Sequence, residues 1–101
     1  MIIESVTRRK NYCSMLAYTP EYVYNASRRA NTLNCHVVSN YKKSDVLKFT
    51  ARIEDGEIQL VIDDVAMTLY SHDELINAIY HAFPDGWHDT MTIIETLLYI
   101  E

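Results

Sequence analysis

The sequence has 101 residues, of which 49% are hydrophobic and 23% are charged, and its formal net charge is −5. Such a composition is that of one folded domain spanning residues 1–101 and excludes a disordered tail. No apolar run approaches the roughly 20 residues that a membrane helix needs. The start, MIIESVTRRK, lacks the pattern of a secretory signal, so we expect a cytoplasmic protein with no membrane partner.

Glycine and cysteine are both scarce. Two glycines and two prolines predict few and short loops, because glycine supplies the backbone conformations that tight turns need. Cys13 and Cys35 fit no zinc-binding spacing. We expect two buried free thiols, although their spacing alone leaves a disulfide open. His72 and His81 lie on opposite sides of one predicted helix, and we predict no metal or other cofactor.

The first part of the chain gives mixed signals. Residues 2–6 (IIESV) fit either a short strand or the start of a helix. Thr19-Pro20 is typical of a helix N-terminus, since proline is favoured at the first helical position, and predicts a helix over residues 20–33. Residues 35–41 (CHVVSNY) fit a strand.

The clearest pattern runs from residue 46 to residue 70. Polar and apolar residues alternate, which predicts strands, and Asp55-Gly56 suits the type I′ turn of a hairpin. A second reversal at Asp63-Asp64 starts a third strand, Val65 to Tyr70. The pairs expected from the first turn are Ile53 with Ile58, Ala51 with Leu60, Phe49 with Ile62, and Lys48 with Asp63 as a cross-strand ion pair.

Helices are predicted to cover the apolar face of this meander. Ser71 and Glu74 form a capping box, and a helix from there is expected to end at Pro84. Its buried stripe comprises Leu75, Ile76, Ile79 and Phe83. Residues 90–100 fit a strand or a helix, and we favour a helix capped by Asp89. The predicted class is α+β: an antiparallel meander of three to four strands packed on one face by two to three helices.

Charge is divided unevenly along the chain. Residues 1–50 hold eight basic and three acidic residues, whereas residues 51–101 hold one basic residue, Arg52, and eleven acidic ones. Either the fold interleaves the two halves, or an acidic surface meets a basic partner and charge complementarity guides the encounter. Aromatic residues in the acidic half would anchor such an interface. The candidate contact residues are Glu54, Asp55, Glu57, Asp63, Asp64, Tyr70 and Trp87.

Catalysis is not predicted. The paired acids Asp63-Asp64 and Asp73-Glu74 already have turn and capping roles, and no lysine follows Lys48. We therefore expect a non-enzymatic binding protein.

A small nucleic-acid-binding regulator is the alternative. Its basic residues would be Arg8, Arg9, Lys10, Arg28 and Arg29. Tyrosines near them could stack with bases. An isoelectric point near 5.2 makes direct nucleic-acid binding the less favoured reading. A homodimer that joins the basic half of one copy to the acidic half of another is a further alternative.

Residues 47–100 also carry a resemblance. The order of their elements, the Asp55-Gly56 hairpin and the corner formed by Phe83, Gly86 and Trp87 resemble the small acidic anti-CRISPR proteins, and more broadly the anti-defence inhibitors, of phages and mobile elements. The basic N-terminal half departs from that pattern. The resemblance implies stoichiometric inhibition of a basic, nucleic-acid-handling protein or nucleoprotein complex. The residues that would then imitate phosphates are Glu54, Asp55, Glu57, Asp63 and Asp64.

Overall fold

The computed structural model describes residues 1–100, which form one antiparallel sheet followed by two helices. The strands are β1 (Ile2–Arg9), β2 (Tyr12–Tyr18), β3 (Tyr22–Arg29), β4 (Thr32–Ser39), β5 (Asp45–Glu54), β6 (Glu57–Ile62) and β7 (Val65–Leu69), and the helices are α1 (His72–Ala82) and α2 (Trp87–Tyr99). The strands lie in the sheet in chain order. The α+β class and the antiparallel meander are confirmed, but the sheet has seven strands where three to four were predicted.

The Asp55-Gly56 hairpin has the predicted register. The pairs are Ile53 with Ile58, Ala51 with Leu60 and Phe49 with Ile62. Both turn residues have positive φ, 50° and 78°, as a type I′ turn requires. At the next turn the backbone N–H of Asp63 donates to the carbonyl of Lys48 at 3.0 Å. Within residues 1–100 these two side chains form no ion pair, so the predicted ion pair is wrong and a backbone contact joins the two residues.

The predicted helix over residues 20–33 is wrong. These residues form β3 and the start of β4. The Thr19 hydroxyl accepts hydrogen bonds from the backbone N–H groups of Glu21 and Tyr22, so Thr19-Pro20 begins a hairpin turn. Beyond this turn the side chains alternate, with Tyr24 buried and Asn25 exposed. Residues 2–6 belong to β1, and residues 35–39 complete β4.

The turns are short, as predicted, but they are numerous and depend little on glycine. The non-glycine residues with positive φ are Asn11, Ala30, Lys43, Asp55, Asp63 and Asp64. Asn and Asp tolerate this left-handed conformation because their short polar side chains bond locally. Ala30, at φ 53°, has no such compensation and bears the steric conflict of its Cβ.

Replacing Ala30 by glycine should therefore stabilise the protein. Relief of about 1–2 kcal/mol of left-handed strain is partly offset by the larger freedom of glycine in the unfolded chain, about 0.5–1 kcal/mol. We expect a urea titration to show a net gain of roughly 0.5–1 kcal/mol in the free energy of unfolding. The control Ala66→Gly, on β7 without positive φ, should lose about 0.5–1 kcal/mol. Equal losses in both variants would contradict the strain at Ala30.

Both helices belong to the same buried cluster as one face of the sheet. α2 packs on β2 and β3 and against α1. The buried residues of the helices are Leu75, Ile79, Thr90, Met91, Ile93, Ile94 and Leu97. The Ser71 hydroxyl accepts from the Glu74 N–H at 3.2 Å, so the predicted cap of α1 is confirmed. The helical interpretation of residues 90–100 is also confirmed, although Gly86 and not Asp89 is the N-cap.

The helices connect the two ends of the sheet. We call one the hairpin end, which holds the β1–β2, β3–β4 and β5–β6 turns, and the other the corner end, which holds the remaining turns and the α1–α2 connection, residues 83–86. At the hairpin end the Cys13 thiol donates to the Leu97 carbonyl at 3.8 Å, and the Arg28 guanidinium donates to the Ile100 carbonyl. α2 therefore runs from the corner end back to the hairpin end.

The two cysteines are buried and free, as predicted, on β2 and β4. Burial raises the pKa of the Cys35 thiol to about 12, because the surrounding side chains disfavour the thiolate. This cysteine is therefore held in its unreactive protonated form at neutral pH. Neither helix in residues 1–100 is long and apolar enough to cross a membrane.

Candidate functional site

The predicted contact residues fall into two groups. The group at the hairpin end is Glu54, Asp55, Glu57 and Tyr70. The group at the corner end is Asp63, Asp64 and Trp87. β6, which separates the two acidic groups, has six residues and is therefore about 20 Å long. The predicted phosphate-imitating carboxylates thus occupy two places and not one continuous patch.

The uneven charge of the sequence persists in the fold. The strands keep chain order, so the basic residues lie on β1 to β5 and in their turns. Within residues 1–100, every acidic residue except Glu4, Glu21, Asp45 and Glu54 lies in the β5–β6 turn or beyond it. We call residues 70–100 the helical layer. It contains no lysine or arginine, and its carboxylates are Asp73, Glu74, Asp85, Asp89 and Glu95.

Ion pairing neutralises little of this acidic half. Within residues 53–100 only Glu54 pairs with a lysine or arginine, through Oε2 at 3.1 Å from the Arg52 Nε. Glu95 Oε1 lies 3.2 Å from the His72 Nε2. Both pairs are exposed, and such pairs contribute little to stability. The described carboxylates therefore leave a net negative surface on the helical layer.

Trp87 lies at the centre of an aromatic cluster on the helical layer. Its ring is edge-on to Tyr80 at 5.8 Å and to His88 at 5.4 Å between centroids. Tyr80 also contacts His81 at 5.7 Å. Tyr80 is 46% exposed, whereas Trp87 is half-buried and packs against the core. We call Tyr80, His81, Trp87 and His88 the aromatic cluster.

Asp85 and Asp89 bring negative charge to the same corner. The pKa of Tyr22 is raised by burial and then by the charge of Asp85, and the pKa of Tyr24 is raised by burial and then by Asp89. Both carboxylates therefore act on the β3 tyrosines at the corner end. Asp85 is exposed and Asp89 is half-buried. In the sequence, Trp87 lies midway between these two carboxylates.

Close packing fixes this corner. The Tyr22 and Phe83 rings meet edge to face, with 4.9 Å between centroids. Gly86 lies against the Phe83 ring, because a Cβ on Gly86 would come within 2.4 Å of the Phe83 Cζ. The Thr90 hydroxyl donates to the Gly86 carbonyl at 2.9 Å, which ties the first turn of α2 to the corner. The residue before Trp87 is therefore held in place by the core.

Metal-ligand geometry is not found in the part of the chain that the structure describes, where no group of three or more His, Cys, Asp or Glu side chains converges. Two histidines contact a carboxylate, and each of them contacts a single carboxylate. His36 Nε2 lies 2.6 Å from Asp45 Oδ1, and His72 contacts Glu95. What these residues offer chemically is charge and hydrogen bonding at an exposed surface.

The basic residues predicted for nucleic-acid binding are divided between the two sides of the sheet. Arg8 and Arg28 share the side of buried Cys13, whereas Arg9 and Arg29 flank Tyr12 on the open side. Lys10 lies in the β1–β2 turn. Sequence neighbours separate because successive side chains of a strand point to opposite faces. Alternation would have revealed this division if β1 and β3 had been recognised as strands.

Comparisons of the chain with protein-family models, with curated proteins and with solved structures found no match. The resemblance to anti-CRISPR proteins therefore stays a prediction.

Proposed function

We propose that this protein is a non-enzymatic binding protein that inhibits or modulates a basic, nucleic-acid-handling protein complex. The observation that carries the proposal is the helical layer, where five carboxylates and no lysine or arginine accompany a partly exposed aromatic cluster. Trp and Tyr are enriched among the few residues that carry most of the binding energy at protein interfaces, and complementary charge steers the encounter. Two buried free thiols suit a reducing compartment, so the proposal places the protein in the cytoplasm.

The aromatic cluster with Asp85 and Asp89 is the contact we favour. Trp87 is positioned by Gly86 and the core, so little side-chain entropy is lost when a partner covers it. The hairpin-end group, with Glu54 and Glu57 on either side of its turn, is a second contact for the same partner in the manner of a phosphate-imitating inhibitor. Because the two regions lie at opposite ends of β6, they can be altered separately.

Affinity capture followed by mass spectrometry tests the proposal. Wild type is compared with two variants of equal charge change: Asp85→Asn with Asp89→Asn, and Glu54→Gln with Glu57→Gln. We expect wild type to retain a basic nucleic-acid-binding protein, and the first variant pair to lose at least tenfold in affinity for that purified partner, since hot-spot interactions are worth about 1–2 kcal/mol or more each. The Trp87→Ala variant should lose at least as much affinity for the partner as this variant pair.

The partner's response to salt provides the control. Raising the salt concentration should weaken partner binding more for wild type than for the variant with neutralised Asp85 and Asp89, because salt screens exposed charges. A partner that binds all variants with equal affinity would show that neither acidic region is the contact. Self-association of wild type without any other captured protein would replace the proposal with the homodimer.

A further inference from the structure

The face of the sheet opposite the helices bears a shallow trough with a volume of about 420 Å³. Small polar side chains from four adjacent strands line it, among them Ser14, Ser27, Asn34 and Thr50. These four are side by side in the register of β2 to β5. Their short side chains leave the middle of this face lower than its borders, where longer side chains stand.

A row of arginines borders the trough on the side of the hairpin end. In the sheet register this row is Arg9, Tyr12, Arg29, Thr32 and Arg52, one residue from each of β1 to β5. Neighbouring strands are about 4.8 Å apart, so the arginines recur roughly every 10 Å along about 19 Å. Lys48 lines the opposite border beside His36.

These cations are available to a ligand. Within residues 1–100 Arg9, Arg29 and Lys48 form no ion pair, and the Arg52–Glu54 pair is exposed. The Arg29 guanidinium lies 4.9 Å from the centre of the Tyr12 ring. A stacked arginine and tyrosine present a planar surface beside a positive charge.

We propose that this trough binds a short segment of single-stranded nucleic acid. Cations repeated along about 19 Å fit a linear polyanion better than one isolated phosphate. The Arg29–Tyr12 pair offers a stacking platform for a base, and the small hydroxyl and amide side chains offer hydrogen bonds to sugars and base edges. A protein partner fits less well, because interface cores are apolar and aromatic, whereas the side chains that this face of the sheet contributes to the trough are polar apart from Leu16 and the Tyr12 ring.

The acidic helical layer does not forbid such binding. It packs on the other face of the sheet, about 10 Å behind the trough, whereas the cations stand on the trough's own borders, and the energy between two charges falls with the distance that separates them. The field at the trough is therefore governed by the cations nearest to it. Because the trough and the helical layer are on opposite faces, this inference stands independently of the proposed function.

Fluorescence anisotropy with labelled eight-nucleotide oligo(dT) and oligo(U) tests the inference. Three to four neutralised phosphates predict a slope of log K against log salt concentration of about −2 to −3. Arg9→Gln with Arg29→Gln should weaken binding at least tenfold at low salt and bring the slope about 1.4 closer to zero. Tyr12→Leu should weaken binding several-fold and Tyr12→Phe should not, since stacking needs the ring and not the hydroxyl. The oligonucleotide that binds more tightly identifies DNA or RNA as the ligand.

Matched controls decide the outcome. Lys42→Gln with Lys43→Gln makes the same charge change in the β4–β5 turn and should cost less than about twofold, because these lysines lie at the corner end, away from the arginine row and from the Arg29–Tyr12 pair. Thermal unfolding of each variant checks that it folds. No binding by wild type at low salt, equal losses in both variant pairs, or equal affinity for a duplex of the same sequence would overturn the proposal. So would a wild-type dimer in light scattering that the Arg9 and Arg29 substitutions dissociate, since a second copy would then occupy the trough.

Discussion

Replacing Gly86 by alanine is expected to lower the free energy of unfolding by about 2–3 kcal/mol. An added Cβ would lie 2.3 Å from the Phe83 Cε2 and 2.9 Å from the Tyr24 hydroxyl. Neither ring can move aside freely, because Phe83 and Tyr24 are 4% and 1% exposed. The φ of Gly86 is −135°, which other residues adopt, so the loss is steric and not conformational.

Gly56→Ala is the matched control. A Cβ at Gly56 would meet nothing within 4 Å, but its φ of +78° is left-handed. We expect this variant to lose about 1 kcal/mol through backbone strain alone. Urea titrations followed by circular dichroism measure both losses. A double variant with Phe83→Leu should recover part of the Gly86→Ala loss, and a Gly86→Ala protein as stable as wild type would contradict the close packing of the corner.

Raising the pH from 8 to 11 is expected to lower the free energy of unfolding by roughly 2–3 kcal/mol through Cys35 alone. The ordinary pKa of the thiol is 9.0, and burial raises it to about 12 in the folded protein. Between these values the unfolded chain loses a proton that the folded protein retains, so rising pH favours unfolding. This contribution to stability is complete below pH 9 and is lost as the pH rises toward 12. Tyr24 adds to the decline above pH 10, since burial and then Asp89 raise its pKa.

Urea titrations at pH 8, 9.5 and 11 with a phosphine reductant would measure this decline. Cys35→Ala removes the thiol and should show a shallower decline than wild type, measured from its own stability at pH 8. Tyr24→Phe should remove a further part above pH 10. If Cys35→Ala declines as steeply as wild type, burial of the thiol is not the cause.

The sequence predicted the second half of the fold better than the first, for physical reasons. Strict alternation on either side of Asp55-Gly56 leaves one register that keeps the apolar side chains on one face, and the structure has that register. In β3 the local sequence favours a helix over the strand that forms. Pro20 suits the first position of a helix, and alanine and arginine have high helix propensity. Pairing of β3 with both β2 and β4 overrides those local preferences. The turn at Ala30-Asn31 could not be predicted from the sequence, since alanine rarely adopts the positive φ that Ala30 has.

The candidate site shows the same division between local and non-local information. The uneven charge along the sequence predicted an acidic half, and in the fold that half stays separate from most of the basic residues. Which carboxylates lie together depends on the direction of β6, which places Glu57 and Asp63 at opposite ends. The arginine row is built from β1, β3 and β5, so it becomes visible only when the order of all the strands is known. Only the strand of Arg52 was predicted.

The order of elements also has a consequence during protein synthesis. Each strand pairs with the one made just before it, so the sheet can assemble hairpin by hairpin as the chain leaves the ribosome. The helices that share its core are made last, and the thiol of Cys13 meets a carbonyl 84 residues later in the chain. Until then the apolar face, with Phe49 and Leu60, is exposed to other nascent chains. Premature termination before residue 71 would therefore yield a paired sheet that aggregates, whereas termination earlier in the meander would leave less apolar surface to associate.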